Sequence, residues 1–261
     1  MYEKVRKYNK KILENNELLI IAGPCAVEEE SRILRIAQFL KSLGVKYLRA
    51  GAYKPRTSPY TFQGLGPKGL EILRNVKMKT GIKIVSEIMD ASQLEFYEDV
   101  DIIQVGARNM QNFSLLKALG KTNKTILLKR GFGATIDEWL YACEYLLNEG
   151  NDNVILCERG IKTFETQTRN TLDISSVPIV KGISKIPVIV DPSHSAGRSD
   201  IIIPLARAAV AVGADGLLIE MHEEPNKALS DKEETIDFKQ FETLLYEIRE
   251  IHDVVKKITL S

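Results

Sequence analysis

Long apolar runs are missing from this sequence. No stretch of about 18 uncharged apolar residues occurs, which excludes a membrane-spanning helix. The basic opening from Met1 to Lys11 is not followed by a long apolar segment before Gly23-Pro24, so a secretory signal is poorly supported. Cysteine is scarce as well: Cys25, Cys143 and Cys157 are too few for a disulfide scaffold, and none stands in a CxxC pair. Charge of one sign is also lacking, because 36 Lys and Arg face 35 Asp and Glu for a formal net charge of +1. That balance argues against a nucleic-acid footprint and requires any anion site to be local. There is no GxxxxGK[ST], no GxGxxG directly after a strand pattern and no GxSxG, so nucleoside triphosphates, dinucleotides and an esterase-like nucleophile are not indicated. The remaining expectation is a cytoplasmic enzyme acting on small molecules.

What is present is a regular alternation of two periodicities. Short apolar or β-branched runs at 18–22, 45–48, 83–86, 102–105, 125–128, 153–156, 188–190 and 216–219 read as strands. Helical spacing fills the intervals at 28–43, 69–79, 91–97, 112–119, 136–147, 203–212 and 238–255, with a less regular segment over 171–185. Most of the strands have no polar face, as in a parallel sheet covered on both sides. Eight strands in 261 residues favour a closed (β/α)8 TIM barrel over an open doubly wound sheet, since such a barrel takes about 250 residues. No linker, charge block or repeat divides the chain. The expectation is a single domain over 1–261 with a short N-terminal extension of about 1–16.

The polar residues gather where the strands end. Gly23-Pro-Cys25, Arg49, Ser86-Glu87, Gly106-Ala-Arg108, Lys129-Arg130, Cys157-Glu-Arg159, Asp191-Pro-Ser-His194 and Glu220-Met-His222 each follow a strand, and a barrel collects those ends on one face. Arg49, Lys54, Arg56, Arg108, Lys129, Arg159 and Arg198 form a candidate basic set, suited with the Thr57 and Ser58 hydroxyls to more than one anionic group. The run Gly64-Leu-Gly66-Pro-Lys-Gly69 either offers backbone N–H groups to a phosphate or only shapes a loop, whereas Glu165 to Arg169 read as ordinary loop contacts. Cys25, His194, Glu220 and Asp231 are far apart in sequence, and only barrel closure would assemble them into a mixed S/N/O/O site for Mn²⁺, Fe²⁺, Co²⁺ or Zn²⁺. His222 competes with Glu220 for that role or supports it, and Cys25 has the alternative of a small buried hydrophobe.

These segments resemble the 3-deoxy-D-arabino-heptulosonate 7-phosphate synthases of type I in their short form. The resemblance is carried by Ile21-Ala-Gly-Pro-Cys25-Ala-Val-Glu28, Leu48-Arg49-Ala-Gly-Ala-Tyr-Lys54-Pro-Arg56-Thr57-Ser58, Gly106-Ala-Arg108-Asn109, Leu128-Lys129-Arg130-Gly131, Cys157-Glu-Arg159-Gly160, Asp191-Pro-Ser-His194 and Ala228-Leu-Ser-Asp231. It implies condensation of phosphoenolpyruvate with erythrose 4-phosphate and water, with release of phosphate, as the first step of the shikimate pathway. It also implies one divalent metal ion on Cys25, His194, Glu220 and Asp231. Arg108, Lys129 and Arg159 would take the phosphate of phosphoenolpyruvate, with Arg49 and Lys54 near its carboxylate and reacting carbons, and Arg56, Thr57 and Ser58 would take the aldose phosphate. Lys54 would protonate or hydrogen-bond the aldehyde oxygen as the bond forms, and Glu87 or a metal-linked group would orient the attacking water. A homo-oligomer, tetramer or dimer, is implied, and the length leaves no room for the regulatory or chorismate mutase domains some members carry.

Two alternatives stand beside it. A 3-deoxy-D-manno-octulosonate 8-phosphate synthase would use arabinose 5-phosphate, but that relative reads Lys-Ala-Asn-Arg-Ser-Ser where this chain has Lys54-Pro55-Arg56-Thr57-Ser58. A non-catalytic barrel that binds phosphorylated metabolites would be expected to lack some of the metal and acid residues.

Overall fold

The computed structural model describes residues 1–13, 17–56 and 58–259. Eight parallel strands pair in chain order and close on themselves: β1 (Leu19–Gly23), β2 (Tyr47–Arg49), β3 (Lys83–Ile88), β4 (Ile102–Val105), β5 (Thr125–Lys129), β6 (Val154–Glu158), β7 (Val188–Val190) and β8 (Gly216–Glu220). Closure is made by β8 against β1, in register from Leu19 opposite Gly216 to Gly23 opposite Glu220. Outside lie α2 (Glu30–Ser42), α3 (Pro67–Thr80), α4 (Phe113–Gly120), α5 (Ile136–Asn148), α6 (Ser176–Ile183), α8 (Ile202–Ala211) and α9 (Phe238–Thr259), and a 3₁₀ segment, Ala91–Tyr97, takes the helix position after β3. This is the (β/α)8 barrel expected from the strand count. Among the described residues no helix is long and apolar enough to cross a membrane.

Several strands run further toward their C-terminal ends than the apolar runs predict, reaching Arg49, Ile88, Lys129, Glu158 and Glu220. The ladder hydrogen bonds belong to the backbone, so a polar side chain does not end a strand whose neighbours still pair with it. That extension positions the site. Leu19, Ile21, Val85, Ile102, Leu127, Ile155, Cys157, Ile189 and Leu218 form the apolar cluster inside the barrel. Side chains two apart share a face of a strand, so the next inward positions beyond Val85, Ile102, Leu127, Ile189 and Leu218 are Glu87, Gln104, Lys129, Asp191 and Glu220. All five are buried. Gly23 closes β1 with φ +150°, and a Cβ there would stand 2.1 Å from the Arg49 carbonyl oxygen, so a side chain would push β2 away from β1.

Two further helices were not apparent in the sequence. In α1 (Glu3–Lys7), within the N-terminal extension, the buried Val5 has its N–H on the Glu144 carboxylate at 2.8 Å, and its carbonyl accepts from Ser184 at 2.7 Å. The second is α7 (Pro192–Ala196), started by Pro192 and capped by Asp191, whose carboxylate accepts the His194 N–H at 2.9 Å.

Candidate active site

One donor atom from each of Cys25, His194, Glu220 and Asp231 lies within 4.8 Å of the other three. Cys25 follows β1, His194 sits in α7, Glu220 ends β8 and Asp231 belongs to the loop that leads to α9. Asp231 adopts a left-handed backbone, φ 53° and ψ 43°, a conformation that Asp tolerates better than most residues. Its Oδ2 lies 2.6 Å from Cys25 Sγ.

The electrostatics of this cluster suit a cation. Burial lowers the His194 pKa against the pull of Asp191 and Glu220, which leaves a neutral ring. With Nδ1 2.7 Å from Asp191 Oδ2, the proton belongs on Nδ1 and the Nε2 lone pair faces Glu220 Oε1 at 3.2 Å. Two acceptors so close repel unless positive charge lies between them. Glu220 Oε1 also accepts from Arg49, while Glu220 Oε2 is buried with no hydrogen-bond partner among the described residues, an arrangement costly for a carboxylate and natural for a metal ligand. Burial, with Glu220 and Asp231 nearby, pushes the Cys25 thiol up to about 12, and a bound divalent cation would reverse that by stabilising the thiolate. The four side chains therefore fit a divalent metal.

Around the cluster lies a cavity lined by Lys54, Arg56, Glu87, Arg108, Lys129 and Arg159, along with His194 and Asp231. Lys54 Nζ donates to the Cys25 carbonyl and lies 2.9 Å from its sulfur. Burial disfavours the Lys54 ammonium, yet Cys25, Glu87 and Glu220 outweigh it and raise the pKa. Lys129 bonds to Asp191, behind His194. Arg159 donates to the Gly160 carbonyl at 3.2 Å and the His194 carbonyl at 3.1 Å, and among the described residues it makes no ion pair. Burial lowers its pKa, the sign of a cation short of counter-charge.

Other candidates fall differently. Arg49 is buried, does not line the cavity, and is paired with Glu220. The Ser58 hydroxyl is outside the lining and accepts from the Tyr60 N–H at 3.3 Å, and Thr57 lies outside the described residues. Arg198 does not join the basic set: it is exposed and pairs with Asp200 at 2.7 Å, because α7 ends at Gly197 and turns the chain outward. Arg169 is more than the loop residue its segment suggests, since it lines the cavity and ion-pairs with Glu234. The Gly66 and Gly69 N–H groups are used within the loop, on the Ala52 and Gly66 carbonyls, which supports the loop-shaping reading. His222 turns from the cluster, with Nε2 3.5 Å from Glu28 and Nδ1 accepting from the Glu224 N–H. Glu220 ends β8, so the two-residue alternation does not reach His222. Gln104 and Phe132 also line the cavity without having been singled out. Gln104 was detectable as the polar position two beyond Ile102, whereas Phe132 carried no comparable signal.

The profile of the DAHP synthetase I family matches residues 4–257. The chain belongs to the DAHP synthetase I family. It is similar to the phospho-2-dehydro-3-deoxyheptonate aldolase of Thermotoga maritima, at 55% identity over 242 residues, covering 92% of this chain and 72% of that protein. The crystal structure of the Thermotoga maritima enzyme, named there DAHP synthase, superposes with a TM-score of 0.89 at 55% identity, covering 92% of this chain and 71% of that one. More distantly, the 2-dehydro-3-deoxyphosphooctonate aldolase of Geobacter sulfurreducens is 34% identical over 267 residues, covering 94% of this chain and 96% of that protein. For this member of the DAHP synthetase I family, these likenesses bear out the resemblance drawn from the strand-end motifs.

Proposed function

We propose that the cavity at the barrel mouth is the catalytic centre for the family's carbon–carbon bond-forming reaction. The chain is a transferase that condenses phosphoenolpyruvate with erythrose 4-phosphate: C3 of the enol forms a bond to the aldehyde carbon, water adds at C2, and inorganic phosphate leaves. The product is 3-deoxy-D-arabino-heptulosonate 7-phosphate. The observation that carries the assignment to this site is that six cations, Lys54, Arg56, Arg108, Lys129, Arg159 and Arg169, share one cavity with His194 and Asp231 of the four-donor cluster. So many cations in one place are stabilised by strongly anionic ligands.

In this reading Arg108, Lys129 and Arg159 hold the phosphate of phosphoenolpyruvate, and Arg49 and Lys54 lie toward its carboxylate and reacting carbons. Arg56, which bonds Ser230 and lies 3.4 Å from Asp231, receives the aldose phosphate together with Thr57 and Ser58. Cys25, His194, Glu220 and Asp231 would hold a divalent ion, Mn²⁺, Fe²⁺, Co²⁺ or Zn²⁺, which when bound would supply Lewis acidity toward the aldehyde. Lys54, buried and protonated beside Cys25, gives a proton to the developing alkoxide, and Glu87 orients the attacking water. The same reading takes residues 1–261 as one catalytic barrel working in the cytoplasm as a homo-oligomer, dimer or tetramer, which light scattering would test.

Phosphate release from phosphoenolpyruvate, measured after chelation and readdition of each of the four metals, tests the reading. Turnover with erythrose 4-phosphate that depends on added metal is expected. Turnover only with arabinose 5-phosphate would assign the octulosonate reaction instead, and none with either aldose would leave a binding barrel.

A further inference from the structure

We infer that Phe132 is a positioning residue for phosphoenolpyruvate, its ring holding the Arg108 and Arg159 guanidinium groups against the cavity wall. The inference rests on the proposed function above, which gives those two arginines the phosphate. Arg108 follows β4 and Arg159 follows β6, while Phe132 lies in the loop after β5, between them. The Arg159 Cζ stands 4.6 Å from the Phe132 ring centroid and the Arg108 Cζ 5.3 Å, both inside the range of a cation–π contact.

The backbone fixes that ring from both sides. The Phe132 carbonyl accepts the Lys162 N–H at 2.7 Å, tying the loop to the segment after β6, and the Gly131 N–H points to Met110 Sδ at 3.1 Å, tying it to the segment after β4. Arg130, two residues before, is locked by Glu158 at 2.9 Å and Asp173 at 2.7 Å. The loop therefore has little freedom to carry the ring elsewhere.

The chemistry explains why an aromatic ring suits this place. Two guanidinium groups near one another repel, and the buried Arg159, unlike the exposed Arg108, also loses hydration. A carboxylate between them would offset that, but it would occupy the same N–H donors that a phosphate needs. A ring face attracts a guanidinium through its π-electrons and leaves the in-plane N–H groups directed elsewhere. Phe132 thus holds both cations in the apo protein without competing for the ligand.

The test is calorimetric titration of phosphoenolpyruvate, without aldose, into metal-loaded protein, alongside steady-state kinetics. Phe132→Leu is expected to weaken phosphoenolpyruvate about tenfold in both Kd and KM, with the KM for erythrose 4-phosphate held within about twofold, while Phe132→Tyr keeps wild-type values. Should Phe132→Leu unfold, Phe132→Met, which is flexible and similar in bulk, takes its place. Unchanged phosphoenolpyruvate binding in the aliphatic variant, an equal rise in both KM values, or a Tyr variant as weak as the Leu variant overturns the inference while leaving the proposed function intact. Wild-type protein that binds no phosphoenolpyruvate removes both.

Discussion

At the scale of single residues, the cavity joins groups that do not tolerate exchange. Cys25→Ala or His194→Ala removes one of four donors and leaves the others repelling, so metal content by elemental analysis and phosphate release should fall together. Full turnover of either variant, or of metal-free protein, would overturn the ligand assignment. Among the described residues Arg159 donates only to carbonyls, and charge-assisted hydrogen bonds to an anion are worth about 1.5–3 kcal/mol. Arg159→Ala should therefore raise the KM for phosphoenolpyruvate by roughly ten- to hundredfold, and an unchanged KM would place the phosphate elsewhere. A subtler case is Gly106, where an added Cβ would stand 1.9 Å from Glu87 Oε1. The obstacle is the end of a flexible side chain, so Gly106→Ala should fold normally but displace Glu87 and copy the kcat loss of Glu87→Gln, about hundredfold. Normal turnover in both variants would remove Glu87 from the mechanism.

At the scale of elements, the loop between β8 and α9 carries Asp231 and is tied to the start of α2. Glu28 accepts the Leu229 N–H at 2.8 Å, pairs with Arg32 and lies 3.5 Å from His222. Glu223 bridges Arg35 at 2.7 Å and Arg32 at 2.9 Å. Burial opposes ionisation of Glu28, but His222, the Leu229 N–H and Arg32 outweigh it and hold its pKa down to about 2. Arg35, against burial and with help from Arg32, holds Glu223 to about 2 as well. Both values lie below the 4.5 of an unperturbed glutamate. The stability these groups contribute is therefore complete above about pH 4.5 and is lost as pH falls toward 2. Thermal unfolding of Glu28→Gln should show a shallower decline across that acid range than wild type. It should also bind metal about tenfold more weakly, because the tether that places Asp231 is loosened. A decline identical to wild type would show that Glu28 does not anchor the loop.

At the scale of the whole molecule, the barrel is held by its apolar interior, and the four-donor cluster sits above that interior rather than within it. Chelated protein should keep its far-UV circular dichroism and lose turnover. Its Tm should rise as Mn²⁺ is added back, by an amount equivalent to about 2.7 kcal/mol at a hundred times the Kd. Unfolding on chelation, or a Tm indifferent to the metal, would mean that the ion is structural or not bound there.

The sequence by itself determined the barrel, because eight runs, most of them without a polar face, have few other ways to be buried, and it determined the residue types of the site, because polar groups recurred where those runs stop. It did not distinguish residues that merely follow a strand from those that face the mouth. Arg198 and Arg169 read the wrong way round, since α7 and the left-handed turn after it decide which guanidinium points outward. His222 and Glu220 were equivalent by alternation until the end of β8 separated them. Phe132 had no signal at all, because an aromatic residue in a glycine-flanked loop acquires its role only from the cations that neighbouring strands bring beside it. Such pairings join residues distant along the chain, and only closure of β8 onto β1 brings Cys25 and Glu220 together.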